Sequence, residues 1–358
     1  EVGGLRESMG LLSPLARWRT DIETCAQMEK KDDSLPMRDL QDYIQACLPP
    51  IESELVQSVA TMNPVVVPVA EHILKAGGKR LRPVLCVMTA QALGPVNESV
   101  YPLASALELI HSATLLHDDV LDNAERRRGR TAAHLQFGVT ETILAGDALL
   151  AMANKIISTY NSVELMALVS EAIYQTATGE ILEIQRMRQP VLTREQYLEI
   201  IVGKTAFLIQ TCCQCGAIWS GASSELLEQA RVFGLNLGIA FQLVDDALDY
   251  TAMESRTGKP LGGDLREGKL TLPLIFFLQS LEEEDKLTIL DKIKDKRLSQ
   301  NEHQRIMSEI QSRNLADETR SEADLFLQRA ADALSRFPGN EYRDLLEQTI
   351  AFIRNRSH

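Results

Sequence analysis

The stretch Leu115-Leu116-His117-Asp118-Asp119-Val120-Leu121-Asp122 ends a long apolar run and combines three carboxylates with helix-forming neighbours. Residues four apart lie one turn apart on the same face of an α-helix, so Asp118 and Asp122 are predicted to lie side by side. Two carboxylates at that spacing repel each other. The pattern therefore predicts a helix whose end presents a cation-binding face.

A second stretch, Phe241-Gln242-Leu243-Val244-Asp245-Asp246-Ala247-Leu248-Asp249, repeats this spacing at the end of another apolar run. Its amide and its three acids occupy positions i, i+3, i+4 and i+7, which form one stripe on a helix. Mg²⁺ takes carboxylate oxygens, keeps several waters and is usually shared with substrate phosphates. Two facing stripes predict a clamp for metal and diphosphate, and the metal ligands are expected to be Asp118, Asp119, Asp122, Asp245, Asp246 and Asp249.

The alternative for either stretch is a solvated helix end without a ligand. A single Asp-Asp-x-x-Asp pattern is more often of that kind. Here the pattern occurs twice, and apolar residues precede each copy. Carboxylates in apolar surroundings are costly without a cation, so the pair of motifs favours the metal site.

The rest of the chain shows helical periodicity. From Asp39 onward apolar residues recur at helical spacing, and Gly and Pro, including Pro49-Pro50, fall between the runs. Alternation typical of strands is almost absent. We predict an all-α, single-domain helical bundle over residues 36–358, with residues 222–250 at its centre because they are apolar nearly all round. Residues 1–35 are predicted to be an N-terminal extension, in part an added or truncated terminus.

Composition excludes several classes of function. The 358 residues are 45% hydrophobic, which supplies a large core, and the net charge of −13 argues against a nucleic-acid partner. No apolar run reaches the roughly eighteen residues of a membrane span, and no signal-peptide pattern is present, so a cytoplasmic location without an integral membrane segment is expected. Six cysteines without a C-x-x-C pair indicate neither a disulfide framework nor a zinc site.

Four further segments offer cations to an anionic ligand. Gly77-Gly78-Lys79-Arg80-Leu81-Arg82-Pro83 joins a glycine pair to three donors for phosphate, and residues 126–130 form a basic run after the first acidic motif. Gly203-Lys204-Thr205 resembles the end of a P-loop, but Leu198 stands where that motif needs Gly, so nucleotide binding is rejected. Residues 259–269 form a Gly-rich loop able to close over a diphosphate. Each segment alone is more often an ordinary loop with solvated side chains.

Together, the ordered motifs resemble those of the trans-isoprenyl diphosphate synthases, or polyprenyl synthetases, from about Pro36 to the C-terminus. The resemblance implies the isoprenoid synthase fold with a central apolar cavity, and a homodimer. It implies a prenyltransferase that joins isopentenyl diphosphate to an allylic diphosphate with two or three substrate-bridged Mg²⁺ ions. Lys204 and the six aspartates are the implied catalytic residues. The implied substrate-binding residues are Lys79, Arg82, His111, Arg127, Arg128, Lys204, Thr205, Gln242, Lys259 and Lys269.

The resemblance also divides those residues between the two substrates. Four of them are assigned to isopentenyl diphosphate: Lys79, Arg82, His111 and Arg128. Arg127, Lys204 and Thr205 are assigned to the allylic diphosphate. Without the resemblance, a solitary histidine such as His111 in an apolar helix would be interpreted as a core residue.

The length of the product is expected to depend on two small residues. In the family, the positions four and five before the first aspartate often carry aromatic rings when the product is short; here they are Thr114 and Ala113. We predict a long product, from hexaprenyl to decaprenyl with octaprenyl as the central value. The alternative is that small residues here only let helices pack closely.

Three rival functions remain at this stage. A short-chain synthase would make farnesyl or geranylgeranyl diphosphate by the same chemistry. A terpene cyclase also carries an Asp-Asp-x-x-Asp motif but lacks the second substrate site, so residues 77–83 argue against it. A non-catalytic partner subunit would be expected to lose aspartates or basic ligands, and this chain keeps them. No amphipathic anchor is evident, so membrane contact is expected at most transiently, during product release.

Overall fold

The computed structural model describes residues 40–187, 192–251 and 261–356. These residues are almost entirely helical, which confirms the predicted all-α class. The helices are α1 (Leu40–Ala60), α2 (Val67–Leu74), α3 (Leu81–Leu93), α4 (Val100–Leu121), α5 (Ala133–Phe137), α6 (Val139–Ser158), α7 (Val163–Met187), α8 (Arg194–Ile201), a π-helix (Val202–Ala206), α9 (Phe207–Trp219), α10 (Ser224–Thr251), α11 (Gly263–Glu267), α12 (Leu272–Gln279), α13 (Glu283–Lys294), α14 (Gln300–Ser312), α15 (Leu315–Leu334) and α16 (Glu341–Arg354). Strands β1 (Arg126–Arg127) and β2 (Arg130–Thr131) form a small antiparallel ribbon.

Helix α10 lies at the centre of the bundle, as its apolar circumference predicts. It packs against α15 and α9, and α9 packs in turn against α3. Close approach depends on small residues: a Cβ atom on Gly238 would lie 2.7 Å from the Cα atom of Ala206 in the π-helix. The second acidic motif at the end of α10 is therefore held at a fixed distance from the π-helix.

Helix α4 carries the first acidic motif and packs along α6. Its apolar residues Leu103, Leu107 and Ile110 are fully buried. Near the motif, the His117 imidazole fills the space beside Gly146, where a Cβ atom would lie 2.3 Å from Nε2, and Nε2 lies 3.0 Å from the Ile143 carbonyl oxygen. This contact fixes the end of α4 against α6.

The break expected at Pro49-Pro50 does not occur. Helix α1 runs through both prolines. Cys47, Ile51 and Leu55 stay buried on one face of the helix, so their packing outweighs the hydrogen bonds that the prolines remove.

One helical stretch of the described residues, Arg194–Trp219, is long and apolar enough to cross a membrane by length and composition, contrary to the sequence expectation. In the fold, 78% of its apolar window is buried. The core helix of a globular protein has the same composition, so this stretch is weak evidence for a membrane span.

Candidate active site

A cavity of about 200 Å³ is lined by residues of the second acidic motif and by two lysines, Lys204 and Lys269, that lie close to the first motif. We call it the cavity between the acidic motifs. The end of α10 contributes Asp245 and Asp246 to its wall, and Lys269 lies on the same wall. The Nζ atom of Lys269 is 3.2 Å from Oδ2 of Asp122, which belongs to the first motif. Lys269 therefore connects Asp122 of the first motif to the cavity wall on which the second motif lies.

Asp246 is the most enclosed acid of the second motif. It accepts hydrogen bonds from Tyr197 Oη at 2.5 Å and from Gln242 Nε2 at 2.7 Å. Gln242 Oε1 accepts from Thr205 Oγ1 at 3.0 Å, so a chain of hydrogen bonds links the π-helix to the carboxylate. Burial raises the pKa of Asp246 to about 7, because the charged form loses its hydration.

Tyr197 was not recognised from the sequence. It lies on α8, which begins with a capping box in which the side chains of Thr193 and Gln196 satisfy each other's backbone N–H groups. That cap fixes the start of the helix and with it the first turn, where Tyr197 points at Asp246. The contact joins residues far apart in the chain, so no local pattern reveals it.

The other two acids of the second motif have different partners. Asp245 is about half exposed, and its Oδ1 lies 2.9 Å from a guanidinium nitrogen of Arg356. Both oxygens of Asp249 are bound by backbone N–H groups, those of Gly263 at 3.1 Å and Asp264 at 3.0 Å. The expectation that Asp249 shares the cavity face is thus not met, because the Gly-rich loop folds back onto the helix end and takes its carboxylate.

The first motif is divided in a similar way. Burial raises the pKa of Asp118 to about 7, and the neighbouring acid Glu180 adds to the effect while Lys204 opposes it. Asp119 is wholly buried and accepts a hydrogen bond from Arg127 Nε at 2.7 Å. Its Oδ2 finds no partner among the described residues. Arg127 binds the other oxygen of Asp119, because position i+1 of the motif points away from the face that Asp118 occupies. The role of Asp119 as a metal ligand stays a prediction.

Lys204 projects from the π-helix toward two acids of α7. Its Nζ lies 2.7 Å from Glu180 Oε2 and 2.5 Å from Glu183 Oε2. Burial opposes the charged form, but Glu183, Glu180 and Asp118 raise the pKa of Lys204 above its ordinary value. Neither glutamate was recognised from the sequence, although their i, i+3 spacing places them on one face of α7.

The π-helix packs directly against the backbone of α7 at two glycines, Gly179 and Gly203. A Cβ atom on Gly179 of α7 would lie 2.3 Å from the backbone N of Lys204, and one on Gly203 would lie 3.0 Å from the carbonyl oxygen of Gln175. No larger side chain fits between these backbones. The wider turn of a π-helix, which often occurs at functional sites, therefore directs Lys204 into the cavity.

A second group of cations lies around His111. Arg82 Nε is buried without a hydrogen-bond partner among the described residues. The Arg128 guanidinium lies against Gly78, where a Cβ atom would be 2.5 Å from Nη1. Burial, followed by the neighbouring arginines, lowers the pKa of His111 well below its ordinary value, so its imidazole is neutral at pH 7. Two guanidinium groups and a neutral imidazole are thus gathered in one place, an arrangement that favours an anionic ligand.

Lys79 lies between that group and the second acidic motif. Its Nζ is 5.4 Å from the centre of the Phe352 ring, and Arg356 stacks over Phe241 with its guanidinium carbon 5.0 Å from the ring centre. Arg356 follows α16 and also contacts Asp245. Arg356 was not recognised from the sequence, because only folding brings the residues that follow α16 next to Asp245 at the end of α10.

Arg80 differs from its neighbours. The sequence suggested it as a third phosphate donor of its segment, but its side chain is only 4% exposed and binds protein groups. Lys259 lies outside the described residues, so its predicted role stays a prediction.

The two residues proposed for product length differ in exposure. Ala113 is fully buried in the core, whereas Thr114 lies on the partly accessible face of α4 that also carries Asp118. The Thr114 hydroxyl donates to the His111 carbonyl oxygen at 2.8 Å, so its polar group is satisfied within the helix. Their influence on product length stays a prediction.

Metal ions fit this site only as ions shared with a ligand. Within the three described ranges, no group of three or more His, Cys, Asp or Glu side chains is gathered to hold an ion alone. The raised pKa values of Asp118 and Asp246 mark two buried carboxylates that a cation would stabilise. Mg²⁺ commonly takes one or two carboxylates and completes its shell with water and phosphate oxygens.

Comparison with known proteins identifies the family to which the chain is similar. The profile of the polyprenyl synthetase family matches residues 63–310. An octaprenyl diphosphate synthase of Escherichia coli (strain K12) is 40% identical over 204 residues, which span 57% of this chain and 63% of that protein. An all-trans-nonaprenyl-diphosphate synthase (geranyl-diphosphate specific) of Rhodobacter capsulatus is 34% identical over 313 residues, 85% of this chain and 95% of that one.

A crystal structure of a polyprenyl synthase from Caulobacter crescentus CB15, complexed with calcium and isoprenyl diphosphate, has the same fold. The TM-score is 0.82 at 36% sequence identity, and the superposition covers 89% of this chain and 97% of that one. The family profile covers more than half of the sequence and includes both acidic motifs. The chain belongs to the polyprenyl synthetase family.

Proposed function

We propose that this protein is a trans-prenyltransferase that condenses isopentenyl diphosphate with an allylic diphosphate and makes a long-chain all-trans polyprenyl diphosphate, with octaprenyl diphosphate as the expected product. The observation that carries the proposal is the presence of two chemically different anion sites side by side. One is the cavity between the acidic motifs, and the other is the group of cations around His111. The names of the octaprenyl and nonaprenyl relatives support a long product.

The cavity between the acidic motifs suits the allylic diphosphate. Two or three Mg²⁺ ions shared with the diphosphate would be held by Asp118, Asp122, Asp245 and Asp246, and would supply electrophilic stabilisation of the leaving group. Lys204 and Lys269 stand at the same mouth and offer N–H donors to diphosphate oxygens. Their contribution grows as negative charge develops on those oxygens while the C–O bond breaks.

The group around His111 suits the diphosphate of isopentenyl diphosphate, which is not cleaved in the reaction. Arg82 and Arg128 offer guanidinium forks, and Lys79 belongs to the same sequence segment as Arg82. The neutral His111 can donate one N–H without adding charge. These side chains hold the double bond of isopentenyl diphosphate beside the allylic carbon, so a new carbon–carbon bond forms there.

The step ends with loss of a proton from the condensed cation, which the released pyrophosphate accepts. The intermediate cation would react with water, so the cavity must exclude it. Apolar residues of α4 and α10, such as Leu116 and Leu243, are fully buried next to the two motifs. No Ser or Cys nucleophile is needed for this chemistry.

The proposal includes a homodimer in the cytoplasm. An apolar face lies exposed on α5, α6 and α7, where five side chains are 50–63% accessible: Leu135, Val139, Leu144, Tyr174 and Ile181. A patch of this kind is typical of an interface between subunits. The five cysteines in the described ranges are free and buried, which agrees with a reducing compartment. Light scattering on the purified protein measures the oligomeric state.

One incubation tests the enzymatic proposal. Purified protein is given labelled isopentenyl diphosphate, Mg²⁺ and, in parallel, geranyl, farnesyl or geranylgeranyl diphosphate, and the dephosphorylated products are separated by chromatography. We expect chains from hexaprenyl to decaprenyl, with octaprenyl dominant. Incorporation that stops at farnesyl or geranylgeranyl would favour a short-chain synthase, and no incorporation with any primer would refute the proposal.

A further inference from the structure

We infer that Arg80, held by Glu52 and Glu108, is a positioning residue for the isopentenyl diphosphate site, although it does not face the ligand. The inference rests on the proposed function, because it concerns the site assigned there to isopentenyl diphosphate. The buried ion pair of Arg80 and Glu108 would fix the positions of Lys79 and Arg82.

Arg80 is fixed by groups from three different helices. Its Nε donates to Glu52 Oε1 at 2.7 Å, Nη1 donates to Glu108 Oε1 at 2.9 Å, and Nη2 donates to the Leu74 carbonyl oxygen at 2.8 Å. The Arg80 side chain is 4% exposed and that of Glu108 is 3% exposed. A planar guanidinium held at three nitrogens has one orientation, so the loop that carries it has one position relative to α1, α2 and α4.

The backbone at Arg80 needs that restraint. Its φ of 46° and ψ of 35° lie in the left-handed region, which a residue with a Cβ atom rarely adopts. Gly77 and Gly78 also have positive φ, at 77° and 149°. The three residues form a tight reversal just before α3, and the bonds of the Arg80 side chain offset the strain at its own position.

The reversal determines where the ligand-binding side chains lie. Lys79 precedes Arg80 and reaches Phe352, and Arg82 follows in the first turn of α3 beside His111. Gly78 supports Arg128, whose guanidinium occupies the space that a Cβ atom would need. Movement of the reversal by a fraction of an ångström would shift all three cations of the site together.

The position of Glu108 indicates that the Arg80–Glu108 pair orients the neighbouring arginines and does not strengthen the attraction for an anion. It lies one turn before His111 on α4, and its charge is the leading attraction on Arg80, Arg82 and Arg128 alike. A buried carboxylate beneath an anion site weakens the attraction for diphosphate. Its benefit must therefore come from the orientation that it gives to the arginines.

Among the described residues, no contact of Arg80 reaches the cavity between the acidic motifs. Its partners are Glu52, Glu108 and the Leu74 carbonyl, and none of these groups contacts Lys204 or Lys269. Loss of the Arg80 contacts is therefore expected to weaken binding of isopentenyl diphosphate and to leave binding of the allylic diphosphate unchanged.

The test uses the double variant Arg80→Met/Glu108→Met, which removes both buried charges without leaving either unpaired. We expect a folded protein by circular dichroism whose KM for isopentenyl diphosphate rises about tenfold or more, while the KM for the allylic diphosphate stays within about twofold. The rate at saturating isopentenyl diphosphate should fall by less than about threefold, because the reacting groups are unchanged. A folded double variant with an unchanged KM for isopentenyl diphosphate would overturn the inference.

Two further variants keep the result interpretable. Arg80→Lys keeps the charge but cannot make the three hydrogen bonds of the guanidinium, so we expect an intermediate rise in the KM for isopentenyl diphosphate. An unchanged KM for isopentenyl diphosphate in this variant would also count against the inference, even where the double variant does not fold. Arg194→Met/Glu322→Met removes a part-buried ion pair elsewhere, at 2.5 Å, and should leave that KM unchanged. Wild-type protein that incorporates no isopentenyl diphosphate would instead refute the proposed function.

Discussion

The Asp118 carboxylate is expected to destabilise the metal-free protein, and the size of the effect follows from its pKa. Burial raises that pKa from 3.8 to about 7, with Glu180 adding to the shift and Lys204 opposing it. One pKa unit corresponds to about 1.4 kcal/mol, so a shift of about three units is at most about 4 kcal/mol above pH 7. Asn resembles the neutral acid in size, so Asp118→Asn should remove this cost.

The sign follows from proton linkage. The folded state binds the Asp118 proton more tightly than the unfolded state, so the favourable effect of protonation is fully present below about pH 4. It is lost as the pH rises through about 7. The stability advantage of Asp118→Asn over wild type is therefore expected to be about 4 kcal/mol at pH 8 and about 2 kcal/mol at pH 5.

Urea unfolding in EDTA at pH 8 and pH 5 measures both values. Asp332→Asn is the control, because Asp332 is exposed and an amide can still accept the hydrogen bond from Gln328. Addition of Mg²⁺ and pyrophosphate should stabilise wild type more than Asp118→Asn, since ligands that bind the folded state stabilise it by an amount that rises with the logarithm of their affinity. A variant no more stable than wild type at pH 8, or an advantage that grows toward pH 5, would refute the reasoning.

Thr114→Phe should shorten the main product toward farnesyl or geranylgeranyl diphosphate, and Ala113→Phe should do the same while also costing about 1–3 kcal/mol of stability, because Ala113 is fully buried. Chromatography measures the product and urea unfolding the stability; an unchanged product profile in both variants would contradict the predicted role of these residues in product length. Gly179→Ala should lower kcat at least about tenfold, because its Cβ atom would press on the π-helix backbone, while Gly94→Ala, whose Cβ atom would meet its nearest neighbour at 3.4 Å, should keep the rate. Arg356→Gln should reduce the Mg²⁺ concentration for half-maximal rate about two- to fivefold, since Arg356 competes with Mg²⁺ for the carboxylate of Asp245. A higher Mg²⁺ concentration for half-maximal rate would count against that competition. Removal of metal with EDTA should abolish calorimetric binding of the allylic diphosphate and leave binding of isopentenyl diphosphate within about threefold.

The sequence predicted the features that depend on local periodicity. The helical class and the central position of α10 both follow from the spacing of apolar residues along each helix. Periodicity also placed Gln242 and Asp246 on one stripe, and the structure joins them by a hydrogen bond of 2.7 Å.

What the sequence could not supply was the partner of each side chain across elements. Asp249 has the right spacing for the cavity, but the backbone of a loop fourteen residues later takes its oxygens. Arg80 belongs to a basic segment, yet glutamates from two other helices bind it. Spacing within a helix gives the direction of a side chain, and only the packed fold decides which group meets it there.

The two anion sites differ in their balance of charge, and that difference assigns their roles. Among the described residues, the wall of the cavity between the motifs carries four acids and three cations, so a diphosphate with its several negative charges is expected to bind there together with added metal ions. Around His111 the acid Glu108 is occupied by Arg80, and Arg82 and Arg128 remain for a ligand. Under the proposed function, two substrates with the same diphosphate group would be bound differently: metal ions would be held where the C–O bond must break, and guanidinium groups would bind the other diphosphate, which stays intact.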